Sequence, residues 1–155
     1  MSDNIMLTWF REQQITPGWF DLVTLMTESM IQNAGENDSQ RFLAQIGKML
    51  AIRFPLPESE TLEALENNIN KQLAEFHWGV VELGNDENKL IFHHQALPSA
   101  RDEYFREVWC RSFCAVLEGM YEGWMQALGA SSRLTIFRET STSTTEVRFN
   151  YCVKE

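Results

Sequence analysis

Residues 101–128 have the sequence RDEYFREVWCRSFCAVLEGMYEGWMQAL, and they decide the fold of this chain. Apolar side chains recur there in steps of three and four residues, which is the spacing of one face of an α-helix. They are Phe105, Trp109, Phe113, Val116, Met120 and Trp124. Further apolar residues widen this face beyond the stripe of a surface helix: Tyr104, Val108, Leu117, Tyr121, Met125 and Leu128. The pattern therefore predicts one long, mostly buried central helix.

Small residues form a second strip along the same helix: Ser112, Ala115, Gly119 and Gly123. A glycine inside a helix costs about 1 kcal/mol relative to alanine, so two of them four residues apart indicate that another backbone comes close. The partner is a second helix, either of the same chain or of another subunit. We take an oligomer interface as the hypothesis for this strip. Glu118 and Glu122 beside it exclude a helix pair within a membrane.

Length and composition predict a globular protein with an acidic surface. The chain has 155 residues, of which 44% are hydrophobic, and this is enough for a real core and excludes wholesale disorder. Ten Phe, five Trp and three Tyr supply more large apolar surface than so small a chain easily buries. The excess hints at oligomer interfaces, with a denser core as the alternative. The net charge of −9 argues against nucleic acid and anionic membranes as partners.

The cysteines and the first residues of the chain indicate the cellular compartment in which the protein is located. Cys110, Cys114 and Cys152 lack the spacing of a secreted disulfide-bonded domain, so reduced thiols are expected. The N-terminal residues have no basic stretch followed by an apolar one, which excludes a typical secretory signal. No apolar run reaches the length of about 18 residues that a membrane-spanning helix needs. We therefore expect a cytoplasmic protein.

The periodicity of the first half of the chain predicts three helices. Thr16-Pro17 opens the first helix, with proline at its first position, and Asn33-Ala34-Gly35 ends it. Asp38 caps a second helix over residues 39–53. Ser59 begins a third helix that runs to Phe76, with leucines on one face and charged residues on the others.

The first two helices both have regularly spaced apolar positions, and those of the second helix are assigned to its inner face. On the first helix they are Phe20, Val23, Leu25, Met26, Met30 and Ile31. On the second helix they are Phe42, Leu43, Ile46, Met49, Leu50 and Ile52. We expect an N-terminal arm over residues 1–16 and a single α+β domain over residues 17–155.

Strand patterns lie on both sides of the central helix. Residues 77–83 and 89–95 predict one hairpin, and residues 133–139 and 145–153 predict a second. The last strand alternates cleanly, with inward positions at Val147, Phe149, Tyr151 and Val153. The predicted fold class is α+β: three N-terminal helices, a β-hairpin, the long central helix and a C-terminal β-hairpin, with a small, mainly antiparallel sheet.

No stretch of the chain has the residue pattern of a known catalytic centre. It contains no glycine-rich phosphate loop, no GxSxG, no HExxH and no CxxC. Cys110 and Cys114 have a spacing that suits a metal ion on a helix. His77, His93 and His94 are the candidate further ligands, but free cysteines within an aromatic helix are usually buried apolar residues. We therefore predict no metal site, no cofactor and no enzymatic activity.

Three stretches of the chain resemble one protein family. They are FLAQIGKMLAIRFPLP at Phe42–Pro57, the leucine-spaced helix that leads into Trp78-Gly79-Val80-Val81, and Val116–Tyr121 with Trp124 three residues on. In this combination the chain is similar to the D subunit of bacterial cellulose synthase, over about residues 38–137. The positions that carry the family motif are Trp78, Gly79, Leu117, Glu118, Gly119, Tyr121 and Trp124.

The resemblance implies an accessory protein of cellulose biosynthesis and not a catalyst. Proteins of this family form an octameric cylinder built from dimers, and they act with the synthase in secretion and ordered packing of β-1,4-glucan chains, as in biofilms. The implied partners are further copies of the chain, other cellulose synthase subunits and β-1,4-glucan, with no nucleic acid and no membrane insertion. The implied location is the cytoplasm, at the inner-membrane synthase complex.

Two further interpretations of the same residues remain open. An acidic dimeric chaperone for a secreted protein would also have this size and charge. A ligand-binding domain with a pocket between the central helix and the sheet is the third. Within the cellulose synthase interpretation, Trp9 and Phe10 are the hypothetical glucan contacts, because they are aromatic residues near the passages proposed for the family's cylinder.

Overall fold

A computed structural model describes residues 5–6, 16–100 and 102–153, and within them it shows the predicted α+β fold. The elements are, in chain order, α1 (Trp19–Ala34), α2 (Glu36–Arg53), α3 (Leu62–Phe76), β1 (Val80–Asp86), β2 (Lys89–Gln95), α4 (Glu103–Ala127), β3 (Leu134–Arg138) and β4 (Glu146–Val153). This is the predicted order of three helices, hairpin, long helix and hairpin.

The two hairpins join into one antiparallel sheet with the strand order β1-β2-β4-β3. Strand β4 alternates in the way that the sequence predicts, and the central strands β2 and β4 turn one apolar face towards α4. The buried residues on that face are Phe92, His94, Val147, Phe149 and Tyr151. Val153 was predicted to point inward as well, but it lies at the end of β4 and is 55% exposed.

The central helix α4 lies across the buried face of the sheet and forms most of the core. Asp102 caps it by accepting a hydrogen bond from the backbone N–H of Tyr104 at 3.0 Å. The ring of Tyr121 packs against Phe92 and Phe149 of the sheet, at centroid distances of 4.7 and 5.8 Å. The prediction of a mostly buried helix is confirmed, although the side chain of Tyr104 is exposed.

Helix α3 covers the outer edge of β1. The side-chain amide of Asn70 donates to the backbone oxygen of Val81 at 2.9 Å and accepts from its N–H at 2.7 Å. The carboxylate of Glu66 accepts from the N–H of Leu83 at 2.8 Å. Because these side chains occupy the backbone groups that an added strand would need, this edge of the sheet is closed to another chain there.

The first two helices begin at residues other than those predicted. Helix α1 begins at Trp19 and not at Pro17, because Gly18, with a φ of 87°, precedes the first turn and donates its N–H to the carboxylate of Asp21. Helix α2 begins at Glu36, so Asp38 is not its cap. Asp38 instead lies in the first turn, where a negative charge is favourable next to the helix N-terminus.

Helix α3 and strand β1 also begin later than predicted. The cap of α3 is Thr61 and not Ser59, because the hydroxyl of Thr61 accepts the N–H of Ala64 at 3.0 Å. Strand β1 begins at Val80 and not at His77. The backbone has positive φ at both His77 and Gly79, which is incompatible with an extended strand.

Candidate functional site

Two of the residues on which the sequence resemblance rests, Trp78 and Tyr121, meet at a buried polar junction around His94. Its Nε2 atom lies 2.6 Å from the backbone oxygen of Trp78, which only accepts, so Nε2 carries the proton. The other ring nitrogen, Nδ1, therefore accepts from the hydroxyl of Tyr121 at 2.6 Å. Complete burial lowers the pKa of His94 to about 4, so the junction holds a neutral imidazole at neutral pH.

Two more motif residues fasten α4 to other elements. The indole N–H of Trp124 donates to the backbone oxygen of Phe54 at the end of α2, at 2.8 Å. The carboxylate of Glu118 accepts from Arg138 of β3 at 2.6 Å, and the same guanidinium donates to the side-chain oxygen of Gln40 at 3.0 Å. Burial raises the pKa of Glu118, while the positive charge of Arg138 opposes that rise. Helices α2 and α4 and strand β3 are thus tied at one point.

The strip of small residues on α4 packs against α2 of the same chain. A Cβ atom at Gly119 would lie 1.8 Å from the backbone oxygen of Ala44, and one at Gly123 would lie 2.8 Å from the Cβ of Ala51. Gly47 of α2 meets the backbone oxygen of Val116 in the same way. Ser112 and Ala115 are each 1% exposed. The hypothesis that this strip is an oligomer interface is corrected, because its surface is already used within the chain.

The remaining motif positions have structural roles. A Cβ atom at Gly79 would lie 2.2 Å from the backbone oxygen of Gln95, and its φ of 100° favours glycine. Leu117 is completely buried in the core. These residues therefore hold α4 against α2 and the sheet, and none of them forms an open cleft with paired catalytic groups.

Helices α1 and α2 expose rows of large apolar side chains, which we call the outer rows. The row on α1 consists of Trp19, Leu22, Val23, Leu25 and Met26, with exposed fractions from 44 to 71%. The row on α2 consists of Phe42, Met49 and Ile52, with exposed fractions from 56 to 80%. Scattered exposed apolar residues are normal, but rows that follow helical spacing indicate a surface that meets a partner.

The outer row on α2 corrects the inner face predicted for that helix. Phe42, Met49 and Ile52 were assigned to the core side of α2. Helix α2 instead turns Ser39, Gly47 and Ala51 towards the protein, where only small residues fit against α4. The large residues therefore lie on the opposite side.

An apolar groove lies beneath α1, between α2 and α4. It has a volume of about 380 Å³. The side chains that line it include Phe20, Val23, Leu43, Ile46, Leu50, Phe76, Trp78, Trp109 and Phe113. The ring of Phe20 reaches from α1 onto Trp109, at a centroid distance of 5.1 Å. The groove is continuous with the α1 row through Trp19 and Val23, so the two form one apolar region.

Two predictions concern metal ions and membranes. In residues 5–6, 16–100 and 102–153, no three side chains of His, Cys, Asp or Glu lie close enough together to hold a metal ion. His93 and His94 point to opposite faces of β2, and neither lines the cavity that Cys110 and Cys114 share.

None of the helices in the described ranges combines the length and apolarity needed to cross a bilayer. Trp9 and Phe10, the hypothetical glucan contacts, lie outside the described residues.

Sequence reasoning missed His94, Arg138 and Gln40 as parts of this arrangement. The strand alternation contained a signal for His94, because Phe92 and His94 share the face that Val147 and Phe149 predict to be buried. Arg138 and Gln40 are 98 positions apart in the sequence, and the local sequence around either residue does not predict their contact.

Comparison with known proteins gives a family. A search of curated proteins finds no match to this chain. The model of the family described as the D subunit of cellulose synthase matches residues 5–152. The matched range includes the three stretches on which the resemblance rests and extends it over nearly the whole chain. This protein belongs to the family of cellulose synthase D subunits.

Proposed function

We propose that this protein is a non-catalytic scaffold of the cellulose synthase complex, which assembles with copies of itself and helps β-1,4-glucan chains to be secreted and packed in order. The observation that carries the proposal is the pair of outer rows on α1 and α2. Family membership makes the chain a subunit of cellulose synthase. The self-assembly and the effect on chain packing are the further steps that we propose.

The exposed side chains of the outer rows favour association. Full burial of one Leu, Ile, Phe or Met side chain contributes about 1.5–3 kcal/mol. The side chains of the outer rows are 44–80% exposed, so burying the exposed part of each contributes a corresponding share of this energy and offsets the entropy lost on association, which is about 4–15 kcal/mol. A two-fold axis brings the same surface of two molecules together, so a second copy would place apolar side chains against apolar side chains.

An octamer built from dimers needs two different contacts, and the chain offers two separate rows. One row would close the dimer, and the other would join dimers into a ring. The edge of β1 is covered by α3 and is not available for a contact between copies, whereas the apolar rows of α1 and α2 are exposed. We therefore propose a tetramer of dimers held together by α1 and α2.

The proposed location is the cytoplasmic side of the inner membrane, with other synthase subunits as partners. Three free cysteines suit a reducing compartment. The net charge of −9 favours a basic surface on the partner protein. Contact with glucan itself, through Trp9 and Phe10, remains a separate proposal. Substitution of Trp9 by alanine would leave the binding of cello-oligosaccharides unchanged if that proposal is wrong.

The proposal predicts that cells need the outer rows to make ordered cellulose. Cells that carry Leu25→Glu together with Ile52→Glu in place of the native chain should make cellulose of reduced crystalline order, close to that of a deletion strain. The reason is that a buried charge without a partner opposes association by several kcal/mol. X-ray diffraction of purified cellulose measures the order.

A matched control adds the same charges to the same helices without removing apolar surface. Gln32 and Gln45 are exposed polar residues of α1 and α2, and Gln32→Glu with Gln45→Glu should leave the cellulose as in the wild type. Cellulose of native order from the Leu25/Ile52 variant, at equal protein level, would contradict the proposed role of the outer rows.

A further inference from the structure

Strand β3 forms an open edge of the sheet. The N–H of Glu139, directly after β3, donates to the backbone oxygen of Arg148 in β4 at 2.9 Å. Because the backbone groups of successive residues in a strand point to opposite sides, those of Ile136 and Arg138 point away from β4. Within the described part of the chain, the N–H and oxygen of these two residues make no hydrogen bond. Strand β3 therefore lacks the cover that α3 gives to β1.

The residues of β3 do not protect this edge against pairing. Exposed edge strands are usually protected by proline, by lysine or by a bulge, and the sequence of β3, LTIFR, contains neither proline nor lysine. Its charged residue is Arg138, which is already paired with Glu118 at 2.6 Å, so an added strand would not bury a lone charge. Phe137 lies on the face of the sheet away from α4 and is 45% exposed. The edge is therefore suited to receive another strand.

The charges around β3 are placed symmetrically about Ile136. Arg133 precedes Ile136 by three residues, Glu139 follows it by three, and both charged side chains are exposed. If two copies of β3 pair antiparallel about a two-fold axis at Ile136, Arg133 of each copy lies opposite Glu139 of the other. A different register would separate these charges. Opposite charges across two strands stabilise their pairing and like charges oppose it, so the sequence favours a second copy as the partner.

We propose that β3 pairs antiparallel with β3 of a second copy, so that two four-stranded sheets join into one continuous sheet. The N–H of Ile136 donates to the backbone oxygen of Ile136 in the second copy, and the N–H of Arg138 donates to that of Leu134. Thr135 and Phe137 form the intervening pair, which covers the exposed ring of Phe137. This inference rests on the proposed self-assembly and assigns a backbone contact to it.

The open edge of β3 lies next to the start of α2. The guanidinium of Arg138 donates to the side-chain oxygen of Gln40 at 3.0 Å, and Phe42 of the α2 row follows two residues later. A dimer that pairs β3 therefore has the first half of α2 near its interface. The edge pairing and the α2 row then belong to one dimer interface, which leaves the α1 row for contacts between dimers.

Reversal of the two charges tests the register. Arg133→Glu or Glu139→Arg alone places like charges opposite each other, and each should raise the protein concentration at which half of the assembly dissociates by about tenfold. Light scattering over a dilution series measures this concentration. The double variant should dissociate at the native concentration, and so should a mixture of the two single variants, because opposite charges then meet again. Lys71→Glu, at an exposed position of α3, is the matched control and should have no effect.

Two results of the charge reversal would overturn the proposal. One is a pair of single variants that both dissociate at the native concentration. The other is a double variant that assembles as weakly as the single variants do.

Hydrogen exchange, read by fragment-resolved mass spectrometry, separates this inference from self-assembly itself. In the native assembly, the amide of Ile136 should exchange at least about tenfold more slowly than in dissociated Arg133→Glu protein. The amide of Phe137, which faces β4, should be protected in both. An assembly of about eight copies whose Ile136 amide exchanges as fast as in the dissociated protein would overturn the pairing and leave the proposed function standing. A native chain that stays a monomer would overturn both.

Discussion

Gly119→Ala should lower the free energy of unfolding by about 2 kcal/mol, although alanine is the better helix former. The added methyl group would lie 1.8 Å from the backbone oxygen of Ala44, so α2 and α4 would have to move apart. Overpacking of this kind usually costs about 1–3 kcal/mol and occasionally more, and it has to exceed the gain of about 1 kcal/mol in helix propensity. The larger Gly119→Leu should prevent folding altogether.

Chemical denaturation followed by circular dichroism, at one fixed protein concentration, measures this effect. Gly84→Ala is the control, because a Cβ atom at Gly84 would meet only the Cβ of Ile91, at an ordinary 3.9 Å. It should change the free energy of unfolding by less than about 0.5 kcal/mol. A Gly119→Leu variant that stays folded but loses its partner chains would contradict the intrachain contact and restore the oligomer interface.

Acid should destabilise the protein through His94, by on the order of 3 kcal/mol. The pKa of His94 is lowered from 6.5 to about 4 by burial, so the unfolded chain binds a proton at a higher pH than the folded chain does. The contribution of the neutral imidazole to stability is therefore complete above pH 6.5 and is lost as the pH falls to about 4. The groups in contact with this imidazole are the hydroxyl of Tyr121 and the backbone oxygen of Trp78, and the neighbouring His93, on the opposite face of β2, adds to the lowering of the pKa.

Denaturant unfolding curves between pH 4 and 7 measure the slope. His94→Gln keeps a donor for the Trp78 oxygen and an acceptor for the Tyr121 hydroxyl but does not titrate, so its unfolding free energy should depend less on pH by the same amount. His77→Asn is the control, because His77 is exposed and asparagine tolerates its φ of 60°. The native slope should persist in that variant. An unchanged slope in His94→Gln would show that other groups cause the acid sensitivity.

The central helix and the alternating strands could be predicted because their patterns report burial directly. Val147, Phe149 and Tyr151 alternate with polar neighbours, so only one face of β4 is able to enter the core. The apolar face of α4 is wide, and a helix of that kind is stable when other elements cover most of its sides. The helix was predicted over residues 101–128, and it lies at Glu103–Ala127 because Asp102 caps its first turn.

The sides of α1 and α2 that face the core could not be predicted. Periodicity shows which residues share a helix face, but it does not show whether that face lies inside or outside. Phe42 and Met49 are seven residues apart and form a convincing apolar stripe, yet the side that enters the core is the one with Gly47 and Ala51. The helix that packs against α2 decides which of its sides enters the core. That helix is α4, and its Gly119 requires small residues opposite it. The same limit applies to the buried pair of His94 and Tyr121, whose positions are 27 residues apart.

The measurement that tests the proposed assembly most directly is the solution mass of the purified protein, by light scattering behind a sizing column. The native chain should give a species of about eight copies. Leu25→Glu with Ile52→Glu should give a smaller, folded species, while Gln32→Glu with Gln45→Glu keeps the native mass. A native protein that stays a monomer would contradict assembly through the outer rows, and a dimer would favour an acidic chaperone over the cylinder.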